Sequence, residues 1–505
     1  MSASRSHGTR VRDDLLVRTE SGPVRGRRDE HARVFLNIPY AAPPVGRLRF
    51  ADPQPHARWS EVRDGTAPGP NAPQPARGRF GTLDVAPFFG DGWEPGPDYL
   101  TLNVWAPGDT HGPAPVILFV HGGAFMAGST RAPAYDGSAF ARDGVVFVTL
   151  NYRLGIPGFL HLPDAPDNRG VLDVVAALRW LQANARSFGG DPDNVTLAGQ
   201  SAGAIVVSSI VASPSAQGTF RRAISQSGTG TGTLTPAQAR VVSNAVHAEL
   251  GVEATAATLE RLSDGDLLDL VPRLTGLELP ADGAADPLGG ITPFNVVLEE
   301  QPASAVARNH LRHVDLLIGA NREEAGLYVA PFASLETTTR ADLVEIATRF
   351  RKSPDAAVAA YWPGASSVSL ADARIAMLGD AMFVAGTRRM AAEHSARGAA
   401  TYQYEFTWRP SALEGQLGAT HLMELPFVFD NADLPGLTGP NRLLGTEPPP
   451  ADLAQRMHAA WVRFAADGDP GWPAYTPHDR VIQEIGATWE ARPETRESQY
   501  AVWGA

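Results

Sequence analysis

The stretch Gly199-Gln200-Ser201-Ala202-Gly203 holds the residue types that an exposed covalent nucleophile needs. An apolar run, Val195 to Ala198, precedes it and reads as a short buried strand, and an alanine-rich apolar run, Ala202 to Ala212, follows and reads as a helix. A chain that passes from strand to helix within a residue or two is sterically tight. Small flanking residues let neighbouring backbone come close, and glycine tolerates unusual dihedrals. The serine at the apex is pushed out at the strand's C-terminal edge, the geometry of a nucleophile elbow. The pattern alone is weak: with 50 glycines in 505 residues, chance supplies roughly a quarter of such a match in a chain this long. The alternative is a glycine-lined turn packed against a sheet, so the partners decide.

An activated serine needs a base, a group that orients the base, and donors for an oxyanion. The donor candidate is His121-Gly122-Gly123-Ala124-Phe125, directly after the strand-like run Val116 to Val120. Absence of bulk at 122 to 124 lets backbone N–H groups reach a ligand oxygen, so Gly123 and Ala124 are the expected donors, with Ala202 as the third. Behind an elbow serine the chain order is acid, then histidine. Four of the 13 histidines lie beyond the acid candidates. His394 sits in an alanine-rich helical stretch beside charges and reads as a solvated face. His458 precedes Trp461 in a helix and reads as packing or solvent, and His478 lies in a Pro/Asp turn. His421 follows the loop 415–420 and precedes the apolar run Leu422 to Phe429, which makes it the best of the four. For the acid, the strand-like run Val314 to Ile318 ends in Gly319-Ala320-Asn321-Arg322-Glu323-Glu324. Either glutamate leaves a strand end at the right point, and position alone does not choose.

The elements that must position these residues follow from the pattern. Leu15 to Arg25 alternates around Ser21-Gly22 as a hairpin. Val34–Ile38, Leu100–Trp105, Val116–Val120, Val145–Leu150, Val195–Ala198, Ala223–Gln226, Val314–Ile318 and Ala400–Trp408 read as strands. Between two of them Val171, Val174, Val175, Leu178, Leu181 and Phe188 recur at helical spacing, and Leu453 to Ala466 is an amphipathic helix. Strands alternating with helices imply an α/β fold with a mainly parallel central sheet covered by helices. Residues 1 to 13 read as a disordered arm and 14 to 505 as a single domain, with helical insertions at about 234–310 and 339–396 that cap the sheet's C-terminal edge. The segment 52–98 is rich in Pro and Gly and carries Phe80, Phe88, Phe89 and Trp93, a plausible pocket wall.

Hydrophobic content of 43% and charge of 19% are those of a soluble globular enzyme, and a net charge of −12 disfavours nucleic acid and anionic membrane. Lys352 is the single lysine. The absence of cysteine excludes thiolate catalysis and disulfides. The first 14 residues carry no apolar segment, and no run is long enough to cross a bilayer, so the expectation is a cytoplasmic protein.

With these residues in hand, the chain resembles the type-B carboxylesterase family, cholinesterase-like α/β-hydrolases that include bacterial para-nitrobenzyl esterases. The likeness runs from about residue 15 to 480. It rests on Ile38-Pro39-Tyr40-Ala41 with Arg49-Phe50, Leu102-Asn103-Val104-Trp105, His121 to Phe125, Asn151-Tyr152-Arg153-Leu154-Gly155, Phe188-Gly189-Gly190-Asp191-Pro192, Gln226-Ser227-Gly228, and His421 followed by Glu424-Leu425-Pro426-Phe427. The resemblance implies an α/β-hydrolase fold and a serine carboxylester hydrolase that needs no metal or cofactor. It implies a triad of Ser201, Glu324 and His421, chooses Glu324 over Glu323, and supports Gly123, Ala124 and Ala202 as oxyanion donors. Ser227 resembles a family serine that hydrogen-bonds beside the triad. Two departures stand out. Gln200 replaces the family's glutamate, removing a negative charge that would favour imidazolium and cationic ligands. Pro97-Asp98-Tyr99 replaces Glu-Asp-Cys, so Asp98 is expected to pair with Arg49 in place of the lost glutamate. The expected partner is a small-molecule ester, with no nucleic acid or membrane, and the chain is expected to be a monomer or weak homodimer. Pocket walls are expected from Phe89 and Trp93, around Phe125, from residues 270 to 296, and from helices near Met377 and Phe383. Rival readings are a non-catalytic binding relative, an amide, carbamate or toxin specialist, and an interfacial lipase.

Overall fold

Uninterrupted runs of Val, Ile, Leu and Phe need cover on both faces of a sheet, and the chain uses them that way. The computed structural model describes residues 15–504 except 110–111, 280, 282, 309–313, 333–334 and 365–367; the arm expected at 1 to 13 lies outside the described residues. Eleven strands form one sheet. They are β1 (Arg27–Arg28), β2 (Ala32–Pro39), β3 (Thr101–Pro107), β4 (Ala114–Val120), β5 (Val146–Leu150), β6 (Gly190–Gln200), β7 (Arg222–Gln226), β8 (Asp315–Asn321), β9 (Thr401–Phe406), β10 (Val481–Ile485) and β11 (Trp489–Pro493). Their spatial order is β11-β10-β9-β8-β7-β6-β4-β5-β3-β2-β1. The run from β10 to β5 is parallel throughout. Antiparallel pairs finish both edges. The expected hairpin forms beside this sheet, pairing Leu16 with Arg25.

Register decides what the sheet can hold. Gly199 of β6 lies beside Val120 of β4, and Gln200 beside Gln226 of β7. Gln226 in turn lies beside Gly319 of β8. The residues that follow β4, β6, β7 and β8 therefore leave the sheet at one edge and at one level. This edge collects His121 to Phe125, Ser201, Ser227 and the turn to Glu324.

Helices cover the strands. Helix α1 (Arg169–Asn184) buries Val174, Val175, Leu178 and Leu181, as their spacing requires. Helix α2 (Ala202–Val211) is buried at every residue and packs on β6 and β7. The block 234–310 contains α3 (Pro236–Leu250), started by a capping box between Thr235 and Gln238, and shorter helices Asp264–Leu270 and Pro302–Arg308. The block 339–396 contains α4 (Arg340–Arg349), α5 (Pro354–Tyr361), α6 (Leu370–Gly379), a π-helical turn Asp380–Val384 and α7 (Ala385–Ser395). Helix α8 (Leu453–Asp467) buries Met457, Trp461 and Phe464. Among the described residues no helix is long and apolar enough to cross a membrane.

Two expectations fail. His394 is not on a solvated face: it is buried, and its Nδ1 lies 2.8 Å from Thr401 Oγ1. Helix α7, which carries it, packs on β8 and β9. Asp98 does not pair with Arg49. Asp98 accepts from Arg63 at 2.9 Å, while Arg49 pairs with Asp264, at the start of a helix of the 234–310 block, and donates to Leu262 O at 2.6 Å.

One buried ion pair ties this framework together. Arg153 and Asp173 have no exposed side-chain surface. Arg153 donates to Asp173 through Nε at 2.9 Å and Nη2 at 2.7 Å, and its Nη1 donates to Ala51 O at 2.7 Å. The end of β5, helix α1 and the loop at 51 are joined at a point that no water screens. Removing one partner of such a pair strands the other charge, at a cost of about 3–5 kcal/mol. Asp173→Ala should therefore lower the unfolding free energy obtained from urea denaturation by about that amount; an unchanged unfolding free energy would contradict this account of the pair.

Candidate active site

The elbow is as tight as its small residues imply. Ser201 has φ 57° and ψ −125°, a conformation costly for any side chain. Its N–H donates to Gln226 O at 2.9 Å. A Cβ on Gly203 would stand 2.1 Å from Val120 O, so helix α2 can cross the end of β4 only without one. Ala202 opens that helix, and the first N–H groups of a helix have no partner within it.

His421 lies on a loop that folds back over the same edge. Its Nδ1 donates to Glu324 Oε2 at 2.5 Å, because a carboxylate can only accept. Its Nε2 faces the elbow and meets Gln200 Nε2 at 3.4 Å. Among the described residues the Ser201 hydroxyl makes no hydrogen bond to protein. The Phe383 ring stacks on His421 at 4.7 Å, and the Tyr328 ring lies 5.8 Å away. Glu324 is fully buried. Its Oε1 accepts from Ser227 Oγ at 2.5 Å and from Asn321 N at 2.7 Å. Glu323, the residue that position alone left as an alternative, turns away and accepts from Ala419 N at 2.8 Å.

The loop 121–125 is anchored through its carbonyls. Tyr152 Oη donates to His121 O at 2.8 Å, His121 Nδ1 to Gly122 O at 2.8 Å and Arg77 Nη1 to Gly123 O at 3.2 Å. Thr292 Oγ1 donates to Ala124 O at 2.9 Å, and Gly155 N to Phe125 O at 2.7 Å. Gly123, Ala124 and Phe125 all have positive φ, at 117°, 56° and 60°. Five carbonyls are thus taken by donors, whereas among the described residues the N–H groups of Gly123 and Ala124 donate to no protein acceptor. Burial pushes the His121 pKa down to about 4, so its ring is a neutral strut, stacked on Tyr152 at 4.6 Å.

The expected pocket residues divide. Phe383 touches the site through His421. Phe89 lies beneath Arg77, whose guanidinium is 5.9 Å from its ring. Phe125 packs into the core against Phe159 at 4.8 Å, and Met377 is wholly buried. The Trp93 ring makes no contact with the rings at the site, and its Nε1 is buried without a partner. Two residues at the site escaped the sequence reading, and Thr292 falls within the stretch 270–296 expected at the pocket wall. Arg77 acts through long-range contacts that leave no local pattern. Glu424 sits three residues after His421 and could have been suspected as a second acid in that motif. It accepts from Asn321 Nδ2 at 2.7 Å and from Gln226 Nε2 at 3.3 Å.

A seven-strand parallel core with a strand-to-helix serine elbow at its C-terminal edge defines an α/β-hydrolase. The carboxylesterase family model matches residues 13–503. A para-nitrobenzyl esterase of Bacillus subtilis is 35% identical, covering 96% of this chain and 98% of its own length. A fumonisin B1 esterase of Sphingopyxis macrogoltabida is also 35% identical, covering 93% of this chain and 86% of its own. The crystal structure of a Geobacillus stearothermophilus carboxylesterase superposes with a TM-score of 0.83 at 32% identity, covering 97% of this chain and all of that one. The chain belongs to the carboxylesterase family and is a carboxylic ester hydrolase.

Glu424 carries a testable signature. Burial, and then the charge of Glu324, push its carboxyl up to about 7. The folded chain binds this proton more tightly than the unfolded chain, where a glutamate titrates near 4.5. Its contribution to stability is full below about pH 4.5 and is lost as the pH rises through about 7. The stability difference between wild type and Glu424→Gln should therefore fall across that window and level off on either side. A difference that stays flat across it would contradict the assignment.

Proposed function

We propose that Ser201, His421 and Glu324 form the catalytic triad, with the N–H groups of Gly123, Ala124 and Ala202 as the oxyanion hole. The observation that carries this reading is the orientation of His421. One ring nitrogen is held at 2.5 Å by a buried carboxylate, which turns the other toward the elbow. Ser201 Oγ attacks the ester carbonyl and gives its proton to His421 Nε2. Glu324 fixes the imidazole tautomer and stabilises the imidazolium as it forms. The N–H groups receive the charge that develops on the carbonyl oxygen, a contribution of about 10²–10³ in rate per donor. His421 then protonates the leaving alcohol, and water repeats the sequence on the acyl-enzyme.

The open hydrogen-bonding capacity of the loop 121–125 supports the oxyanion assignment, and the hydrogen bond from Ser227 to Glu324 supports a positioning role for that serine. Ser201 is 9% exposed and His421 2%, so little of either reacting group meets solvent. This favours small to medium esters over a bulk lipid surface. Ser201→Ala should abolish hydrolysis of 4-nitrophenyl acetate and butyrate with the fold intact by circular dichroism. Glu324→Gln should lower kcat by several orders of magnitude, as loss of the orienting acid does in other triads. Undiminished turnover in Ser201→Ala would overturn the assignment.

A further inference from the structure

Arg77 has an unusual environment for a guanidinium. It is held 4.9 Å from the Phe80 ring centroid and 5.9 Å from that of Phe89. Of its five N–H donors, one reaches Gly123 O at 3.2 Å. Among the described residues it has no carboxylate partner. Several arginines of comparable or greater burial are answered. Arg153 has Asp173, Arg496 has Asp380, and Arg169 donates to the carbonyls of Ile156, Pro157, Leu160 and Pro166. The remaining donors of this half-buried cation have no acceptor among the described residues and can serve a ligand that brings one.

Its position relates it to the chemistry. The carbonyl it holds belongs to Gly123, whose N–H is an oxyanion donor in the reading above. A wall of rings leads from it to the base: Phe80 lies 6.1 Å from Tyr328, and Tyr328 5.8 Å from His421. On the other side of His421 stands Gln200, an uncharged amide. Glu324 is occupied by His421, Ser227 and Asn321, and Glu424 lies behind them, held by Asn321 and Gln226. Arg77 thus sets a positive charge against the loop that carries Gly123, and position 200 carries no negative one. We propose that Arg77 binds a carboxylate carried by the ester substrate, so that the enzyme prefers anionic esters to neutral esters of the same shape. The proposal rests on Ser201 being the nucleophile.

Two matched pairs test it: mono-4-nitrophenyl glutarate against its methyl ester, with the carboxylate on the acyl side, and 4-acetoxybenzoate against its methyl ester, with the carboxylate on the alcohol side. The quantity read is the ratio of kcat/KM, anionic over neutral. Arg77→Gln should lower that ratio by about ten- to a hundredfold in one pair, the size expected for a charged hydrogen bond. Arg77→Lys should fall between, and the pair that responds identifies the side of the scissile bond that faces Arg77. An arginine that merely held the loop would change both members alike. Equal ratios in wild type and Arg77→Gln, in both pairs, would overturn the proposal. Should Arg77→Gln not fold, wild type decides: glutarate should inhibit hydrolysis of 4-nitrophenyl acetate competitively and at least tenfold more tightly than glutaramide, and equal inhibition would overturn it. If Ser201→Ala still hydrolysed the neutral esters, the serine reading would fail and the Arg77 proposal with it. A silent Ser201→Ala with unchanged ratios would overturn the Arg77 proposal alone.

Discussion

Glu324 has no contact with water, and its two oxygens receive hydrogen bonds from Ser227, Asn321 and His421. A buried carboxylate survives as an anion only when its acceptor sites are filled in this way. Each donor comes from a different part of the chain. Ser227 follows β7, the Asn321 N–H closes β8, and His421 arrives on a loop a hundred residues later. Loss of any one would leave a buried acceptor short, at a cost of about 1–3 kcal/mol. The arrangement therefore constrains itself: the imidazole is held because the buried acceptor needs a donor, and the carboxyl is held in place by the donors that surround it.

The sheet makes that convergence possible. Parallel pairing from β10 to β5 brings the C-terminal ends of β4, β6, β7 and β8 to one level. The loop after β4, the elbow after β6 and the turns after β7 and β8 then meet without long excursions. The remaining freedom is removed locally. Gly203 lets α2 cross β4, and four donors from outside the loop, with the ring of His121, fix the carbonyls of residues 121 to 125. Preorganisation here is mostly hydrogen bonding directed at backbone that no regular element holds.

What could be read from the sequence follows from how local each feature is. The elbow was legible because strand, apex and helix are contiguous and the small residues flank the serine. The loop 121–125 was legible for the same reason. His421 was reached by elimination, and the choice of Glu324 over Glu323 came from family spacing, since both glutamates leave the same strand. The physical ground for that choice, that Glu324 turns inward to Ser227 and Glu323 outward to Ala419, is a matter of side-chain direction. His394 was misread because alanines beside charges look like a solvated face, while the strand it packs on begins at Thr401. Arg77, Asp173 and the pairing of Arg49 with Asp264 join residues far apart in sequence and have no periodicity to read.

The account stands on Ser201 being made nucleophilic by His421, with Glu324 behind it. Its most direct test is covalent. The protein is treated with a fluorophosphonate and its peptides are mapped by mass spectrometry, for wild type and for His421→Ala. The account predicts a single adduct at Ser201 in wild type, formed far more slowly in His421→Ala. An adduct on another residue, or equal labelling rates in the two proteins, would contradict it.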